Sequence, residues 1–515
     1  VARPLREDVQ GGFAQGLNTT ADESQLRSQE LRRADNARLT NAGAVSRILG
    51  SQRIHEDAIG SGAPVRGGFT WKRDSGVVQL LAVCGGKLYT AEYGTLPIEW
   101  TEEVGSLSSS AVPSFAAFRD ATGECVYIAD GGVLNKWNGT TLTTDIVNAQ
   151  AVARVWVYNQ RLHGVSGSTA LVYYSTLNDG DSLGYVAGGG GSAVVRTFGG
   201  QKLTTGLAVG ASSLMFHVGG ISRFSGFTQD DIAIDAGAQG VSGSKGTRAP
   251  QSVVLVEKAD EGIDAAFFLT NRGVFRATEG GCYPVRSDVL LATLASLDQS
   301  SWERVQGAHH ARYGEVLFYL PDIGVYAYNY LLDAWSGPWT AGFTSAVTHA
   351  MWESEDAQGR PILLFGGADG FVRRADMPRV YLADVLSDGS GGSAYTMVAR
   401  CRRFFFGDEA EEKQMKWLYV TANLRGSDRA GVRWSALYGS GQLTFADATD
   451  GVATVWGAFT WGAALWSGVS NKTKTFRVPM HARGPYVDIT FVDDGASDSE
   501  WSRVKVEAFS NGRRG

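Results

Sequence analysis

"LLAVCGGKLYT" (Leu80 to Thr90) sets an apolar run, two glycines and a second apolar run in eleven residues. Glycine supplies the positive φ that a tight hairpin turn demands. The flanks carry the branched and aromatic residues that strands favour. The stretch therefore reads as a β-hairpin. The same grammar returns in "VYIADGGVLNKWNG" (Val126 to Gly139) and "LMFHVGGISRFSG" (Leu214 to Gly226). It recurs more loosely in "FFLTNRGVFRATEG" (Phe267 to Gly280), "LFYLPDIGVYAYNY" (Leu317 to Tyr330) and "LLFGGADGFVRRAD" (Leu364 to Asp376). "RLHGVSGSTALVYYS" (Arg161 to Ser175) is a degenerate seventh copy.

The turn glycines are Gly86, Gly132, Gly167, Gly220, Gly273, Gly324 and Gly370, spaced by 46, 35, 53, 53, 51 and 46 residues. An earlier strand often precedes the hairpin, as in "SFAAFRD" (Ser114 to Asp120) and "RVWVYNQ" (Arg154 to Gln160). Three or four strands every 40–50 residues or so is the period of a β-propeller blade. The expected fold is all-β: a propeller of about seven blades, with an N-terminal arm and a C-terminal β-sandwich. The competing arrangement is a pair of β-sandwiches with coincidental hairpins.

Beyond Asp376 the repeat stops. "LSDGSGGSAY" (Leu386 to Tyr395) has linker composition. The runs after it, among them "KWLYVTANL" and "YVDITFVDD", alternate apolar and polar residues as half-buried antiparallel strands do. The expected layout is an arm and hairpin over 1–60, the propeller over 61–380, a Gly/Ser linker over 381–394 and the sandwich over 395–515. Only Asp22 to Ala37 has helical composition, with Thr20 and Glu23 at capping-box spacing.

Composition narrows the function. The chain has 515 residues, 47 basic and 53 acidic, for a net charge of −6. A surface built to grip nucleic acid is not expected from that balance. Cys84, Cys125, Cys282 and Cys401 show no zinc spacing and are expected to be free thiols in a soluble protein folded in a reducing cytoplasm. No apolar run reaches the roughly 20 residues that span a bilayer.

A search for chemistry finds little. "GVSGSKGT" (Gly240 to Thr247) has Ser244 where a phosphate-binding loop needs glycine. No G-x-S-x-G elbow occurs. His309 and His310 are neighbours, so on a strand they point to opposite faces. The acidic clusters Asp179/Asp181, Asp230/Asp231/Asp235 and Asp493/Asp494/Asp498/Glu500 lack calcium-loop spacing. No catalytic residue, cofactor or metal site is expected, and no enzyme activity. Trp335 and Trp339 are expected to pack between blades rather than to form a sugar platform.

The opening of the chain resembles that of many bacteriophage tail proteins. The resemblance rests on Gly16, Leu17 and Asn18, then Leu26, then Asn36, Arg38 and Leu39, the turn glycine Gly43, and Arg47 leading to Gly50. "ALVYYSTLNDGDSLGY" (Ala170 to Tyr185), "YNYLLDAWSGPWT" (Tyr328 to Thr340) and the C-terminal strands resemble further segments of those proteins, though Asp333 and Trp335 sit closer together than in their pattern. The chain is thus similar to the tail nozzle, or tail hub, of short-tailed phages.

That resemblance implies a structural virion protein assembled in the bacterial host cytoplasm. It implies a homo-oligomer, a hexamer in that family, that forms a DNA conduit below the portal and adaptor and meets a tail fibre or spike. DNA would pass without specific binding, which an acidic wall favours. The N-terminal segment would order by docking, partly on its own propeller and partly on a neighbouring subunit. The acidic stretch Phe227 to Gly246, with Asp230, Asp231 and Asp235 against Lys245, is the expected channel-facing or gating loop. The alternatives are a propeller glycosidase or polysaccharide depolymerase, and a carbohydrate- or protein-binding propeller.

Overall fold

The computed structural model describes residues 5–195, 201–226, 233–235, 241–242, 244–258, 263–343, 348–356, 358–377, 380, 382–407, 411–425, 430–445, 473–495 and 498–510. Almost every regular element is a strand. Six four-stranded antiparallel sheets stand free, and a seventh four-stranded unit lies at one end of a 15-stranded sheet. The first strands of these seven units, from Val65–Lys72 round to Ala350–Glu355, surround one central space, and blade seven packs back against blade one. This is the propeller. Five of the seven turn glycines fall between the second and third strands of their blades, and Gly273 and Gly324 are the first residues of the third strand.

Blade seven shows how the ring closes. Its strands Ala350–Glu355, Pro361–Gly366 and Val372–Ala375 come from the end of the propeller sequence, but its fourth, Gln52–Arg53, comes from ahead of blade one. A ring latched by both ends of its chain hides the sheet edge that would otherwise be exposed. Arg373 reinforces the latch: it pairs with Asp369 (2.6 Å) and Asp384 (2.7 Å), and Asp384 also takes Arg53 (2.8 Å).

Blade six is joined to the second body. Its outer strand Ala334–Trp339 meets Glu30–Asp35 through Ala34 and Gly337. Glu30–Asp35 pairs on its other side with Met397–Cys401, which pairs with Lys474–Asp493. That 20-residue strand changes layers. Its first half pairs with Lys413–Arg425, and its second half lies between Met397–Cys401 and Ala430–Tyr438. The two layers face each other where Phe491 stacks on Trp501 (ring centroids 4.6 Å apart). Strands that switch layers form the corners of a sandwich.

The N-terminal segment departs most from expectation. Leu5–Gly11 pairs along its whole length with Asp498–Ser510 of the same chain. Ala37–Leu39 and Val45–Arg47 form the expected hairpin, which docks on Glu500 and Trp501. The described part of this segment is thus distributed over both bodies as strands paired within the same chain. The helical expectation for Asp22 to Ala37 also fails. Asn18 Oδ1 accepts from the backbone of Thr20 and Ala21, so a turn replaces the capping box. Glu30–Asp35 is a strand because it finds partners on both edges and buries Leu31 and Ala34; tertiary pairing overrides local propensity. Among the described residues two α-helices, α1 (Asp288–Ala295) and α2 (Gln299–Arg304), lie instead between blades five and six.

A single apolar core runs through both bodies, from Phe267, Phe318 and Trp335 of the propeller to Met397, Val487 and Trp501 beyond it. The Gly/Ser stretch is exposed from Asp388 to Ala394 but anchored at its start by a bridge between Val385 and Gln52.

Candidate functional site

The residues singled out near the N-terminus converge on the seam between the two bodies. Gly16 has φ +65°, and a Cβ there would lie 2.6 Å from the Trp335 carbonyl oxygen, so only glycine fits. Leu17 is buried, and Asn18 Nδ2 donates to Glu30. Asn36 sits at φ +48°; its Oδ1 accepts from the backbone of Thr340 and Ala341, and its Nδ2 donates to Thr396 O. One side chain thereby ties the end of blade six to the start of the C-terminal body. Gly43 turns the hairpin at φ +76°, and Gly50 packs so closely on the Leu382 backbone that no side chain could stand there.

Arg38 is the centre of this seam. It is 3% exposed, with Nε 3.0 Å from Glu315 and Nη2 2.6 Å from Asp376. Its guanidinium lies 3.8 Å from the centroid of the Tyr313 ring and 4.7 Å from that of Trp339. Burial by itself would raise the Asp376 carboxyl, but Arg38 holds it below the usual carboxylate range. Such a node orients elements more than it adds net stability, because desolvation offsets most of the Coulomb gain. Sequence reasoning found Arg38 but missed Glu315 and Asp376, which lie 277 and 338 residues away along the chain.

The acidic stretch Phe227 to Gly246 is described only in part. Asp230 and Asp231 lie outside the described residues. Asp235 falls in the outer strand Ala233–Asp235 of blade four, opposite Arg223. Lys245 places its ammonium 5.1 Å from the centroid of the Phe275 ring. Lys245 is therefore held against the flank of blade five.

Other groups take structural places. Trp335 and Trp339 are both 1% exposed, and Trp339 Nε1 donates to Ala37 O (2.7 Å). Asp181 accepts from Tyr127 and pairs with Lys136, and Asp493 pairs with Arg47. His310 is buried beside Glu315 and Asp376, whereas His309 faces Glu353 and Tyr330, as opposite faces of a strand require. The four thiols are free, and burial pushes Cys84 up to about 11 and Cys125 and Cys282 up to about 12, so they stay protonated. His217 and Ser222 make a hydrogen-bonded pair at 3.0 Å, a contact the sequence did not suggest; both are closed off from solvent.

The open chemistry lies on the propeller axis. The central channel, about 480 Å³, is walled by the first strands of all seven blades, and its wall residues Gly67, Gly68, Gly206 and Gly307 let Pro113, Trp352, Trp156 and Val254 pack against the backbone. At the face carrying the hairpin turns it widens into a mouth of about 580 Å³. Arg154, the first residue of blade three, lines both spaces. Volumes of this size suit a small ligand.

No known protein family and no curated protein matches the chain. Among solved structures it is similar to the extracellular domain of the putative one component system BT4673 from B. thetaiotaomicron, with a TM-score of 0.41 and 10% identity over 62% of this chain and 39% of that one. The extracellular domain of the putative hybrid two component system BT4673 from the same organism gives 0.41 and 9% over 78% and 48%. That of the putative hybrid two component system BT3049, also from B. thetaiotaomicron, gives 0.35 and 11% over 61% and 40%. The chain spans less than half the length of each of these, and the likeness carries no functional argument.

Proposed function

We propose that this chain is a structural subunit of a short-tailed phage tail, of the nozzle or hub kind. It works as a homo-oligomer in the virion, seated against an adaptor on one side and a fibre or spike on the other. The sequence resemblance suggests the family. The observation that carries an assembly role is a hairpin on the second body. Its strands Ala430–Tyr438 and Ser440–Thr444 leave Leu437 57%, Tyr438 61% and Leu443 40% exposed. Among the described residues Ser440–Thr444 pairs on one edge only. An apolar edge of this kind is a docking surface when it is not a liability.

The propeller channel, at about 480 Å³, has room for a small molecule and not for a duplex, so a DNA conduit has to form between copies. Electron microscopy and native mass spectrometry of the purified chain, alone and with its adaptor, test the reading. Closed rings of one size are expected. A chain that stays monomeric in both settings overturns it. The second reading, a ligand-binding propeller, is favoured by the open mouth above the channel.

A further inference from the structure

The mouth of the channel contains a cation without a counter-charge. Arg154 donates through Nη1 to the carbonyls of Val112 (2.8 Å) and Ala153 (2.7 Å). Its Nε is buried and has no acceptor. Two carboxylates share the mouth, Asp130 and Glu303. Asp130 is occupied by the backbone N–H groups of Ser108 (2.7 Å) and Gly132 (3.1 Å), and among the described residues no carboxylate, Glu303 included, acts on the charge of Arg154. Lys202 and Arg248 stand exposed on the same rim. Arg248 there meets a neutral partner, Gln299 (3.4 Å).

Four buried arginines elsewhere in the described residues face carboxylates: Arg38 with Glu315 and Asp376, Arg47 with Asp493, Arg373 with Asp369 and Asp384, and Arg374 with Asp356. Arg154 is half-buried, and taking even part of a charge out of water without a partner is unfavourable. Burial pulls Arg154 down to about 10, the direction expected of a desolvated cation with no anion beside it.

We propose that the mouth of the propeller channel is a binding site for a small molecule bearing an oxyanion, a carboxylate or a phosphate, with Arg154 as its charge partner and Lys202 and Arg248 at the rim. A planar guanidinium held at one edge by two carbonyls has its orientation set in advance, which favours recognition of a flat or tetrahedral oxyanion. This inference does not depend on the tail-subunit reading, because the site lies within one chain.

Calorimetric titration of the full chain tests it with three probes: inorganic phosphate, glucuronate and neutral glucose. Binding of at least one anionic probe and not of glucose is expected, weakening as salt rises. Arg154→Gln should reduce that affinity by about tenfold to a hundredfold. Lys202→Ser with Arg248→Ser, both exposed and safe for folding, should reduce it several-fold, which keeps the test open if Arg154→Gln fails to fold. Preference for phosphate over glucuronate, or the reverse, identifies the source of the oxyanion. Absence of binding by either anion, equal binding of glucose, or affinity unchanged in every folded variant overturns the proposal.

Discussion

Replacing Arg38 would leave Glu315 and Asp376 facing each other in a dry pocket. Losing one partner of a buried ion cluster costs about 3–5 kcal/mol, because the remaining charge keeps its desolvation penalty. Arg38→Met is therefore expected to lower stability by that amount, read as a shift in the urea midpoint. Arg38→Met combined with Glu315→Gln and Asp376→Asn should recover part of it. His55 gives a prediction in pH. Val372 N donates to its Nε2 (2.8 Å), and its Nδ1 donates to the Asp57 carbonyl (2.7 Å), so the ring is held neutral. Burial lowers it to about 4. Between that value and the ordinary 6.5 or so, the unfolded chain binds a proton that the folded chain refuses. Stability therefore rises with pH across this window and is lost as pH falls toward 4, by about 3 kcal/mol for His55. His163, stacked on Trp156 and lowered by burial to about 3, acts with the same sign. His55→Gln should flatten the stability profile between pH 4 and 6.5 or so relative to the parent; an unchanged slope would exclude His55 as its source.

Among elements, the N-terminal strands and the apolar hairpin have opposite roles. Phe13, Leu17, Leu26 and Leu31 are all buried. At about 1.5–3 kcal/mol each, their removal costs on the order of 10 kcal/mol, comparable to the whole stability of a folded chain. Deleting residues 1–36 is thus expected to abolish cooperative unfolding, seen by near-ultraviolet circular dichroism. The sequence-based picture of a docking arm predicts a folded monomer instead. The hairpin Ala430–Thr444 should show the reverse. Leu437→Ser, Tyr438→Ser and Leu443→Ser together should prevent ring formation while changing monomer stability by less than about 1 kcal/mol, because exposed side chains away from structural features contribute little. Rings that persist in this variant would place the subunit contact elsewhere.

For the molecule entire, the continuous core predicts the outcome of a cut. Residues 388–394 are exposed, so a nonspecific protease should cleave there first. The two fragments should stay together through gel filtration, because strands Leu5–Gly11, Glu30–Asp35 and Val45–Arg47 precede the cut yet pair with strands that follow it. Separation without denaturant would mean that the two bodies are independent.

The propeller was readable from the residues because a hairpin is a local object. Two apolar runs and a glycine with positive φ lie within about a dozen residues, and seven copies at a regular period imply a ring. Alternation in the C-terminal runs was readable for the same reason. The fate of the N-terminal segment was not. Glu30–Asp35 has helical composition and becomes a strand through partners near residues 337 and 400. Arg38 was visible as part of a motif, but Glu315 and Asp376 share no spacing with it. Arg154 carried no signal at all; its interest lies in the absence of a carboxylate beside it, which is a property of folded space. Local periodicity survives in the order of residues because neighbours in the chain create it. Pairings across hundreds of residues, and the burial that makes a charge costly, arise only when the chain has closed.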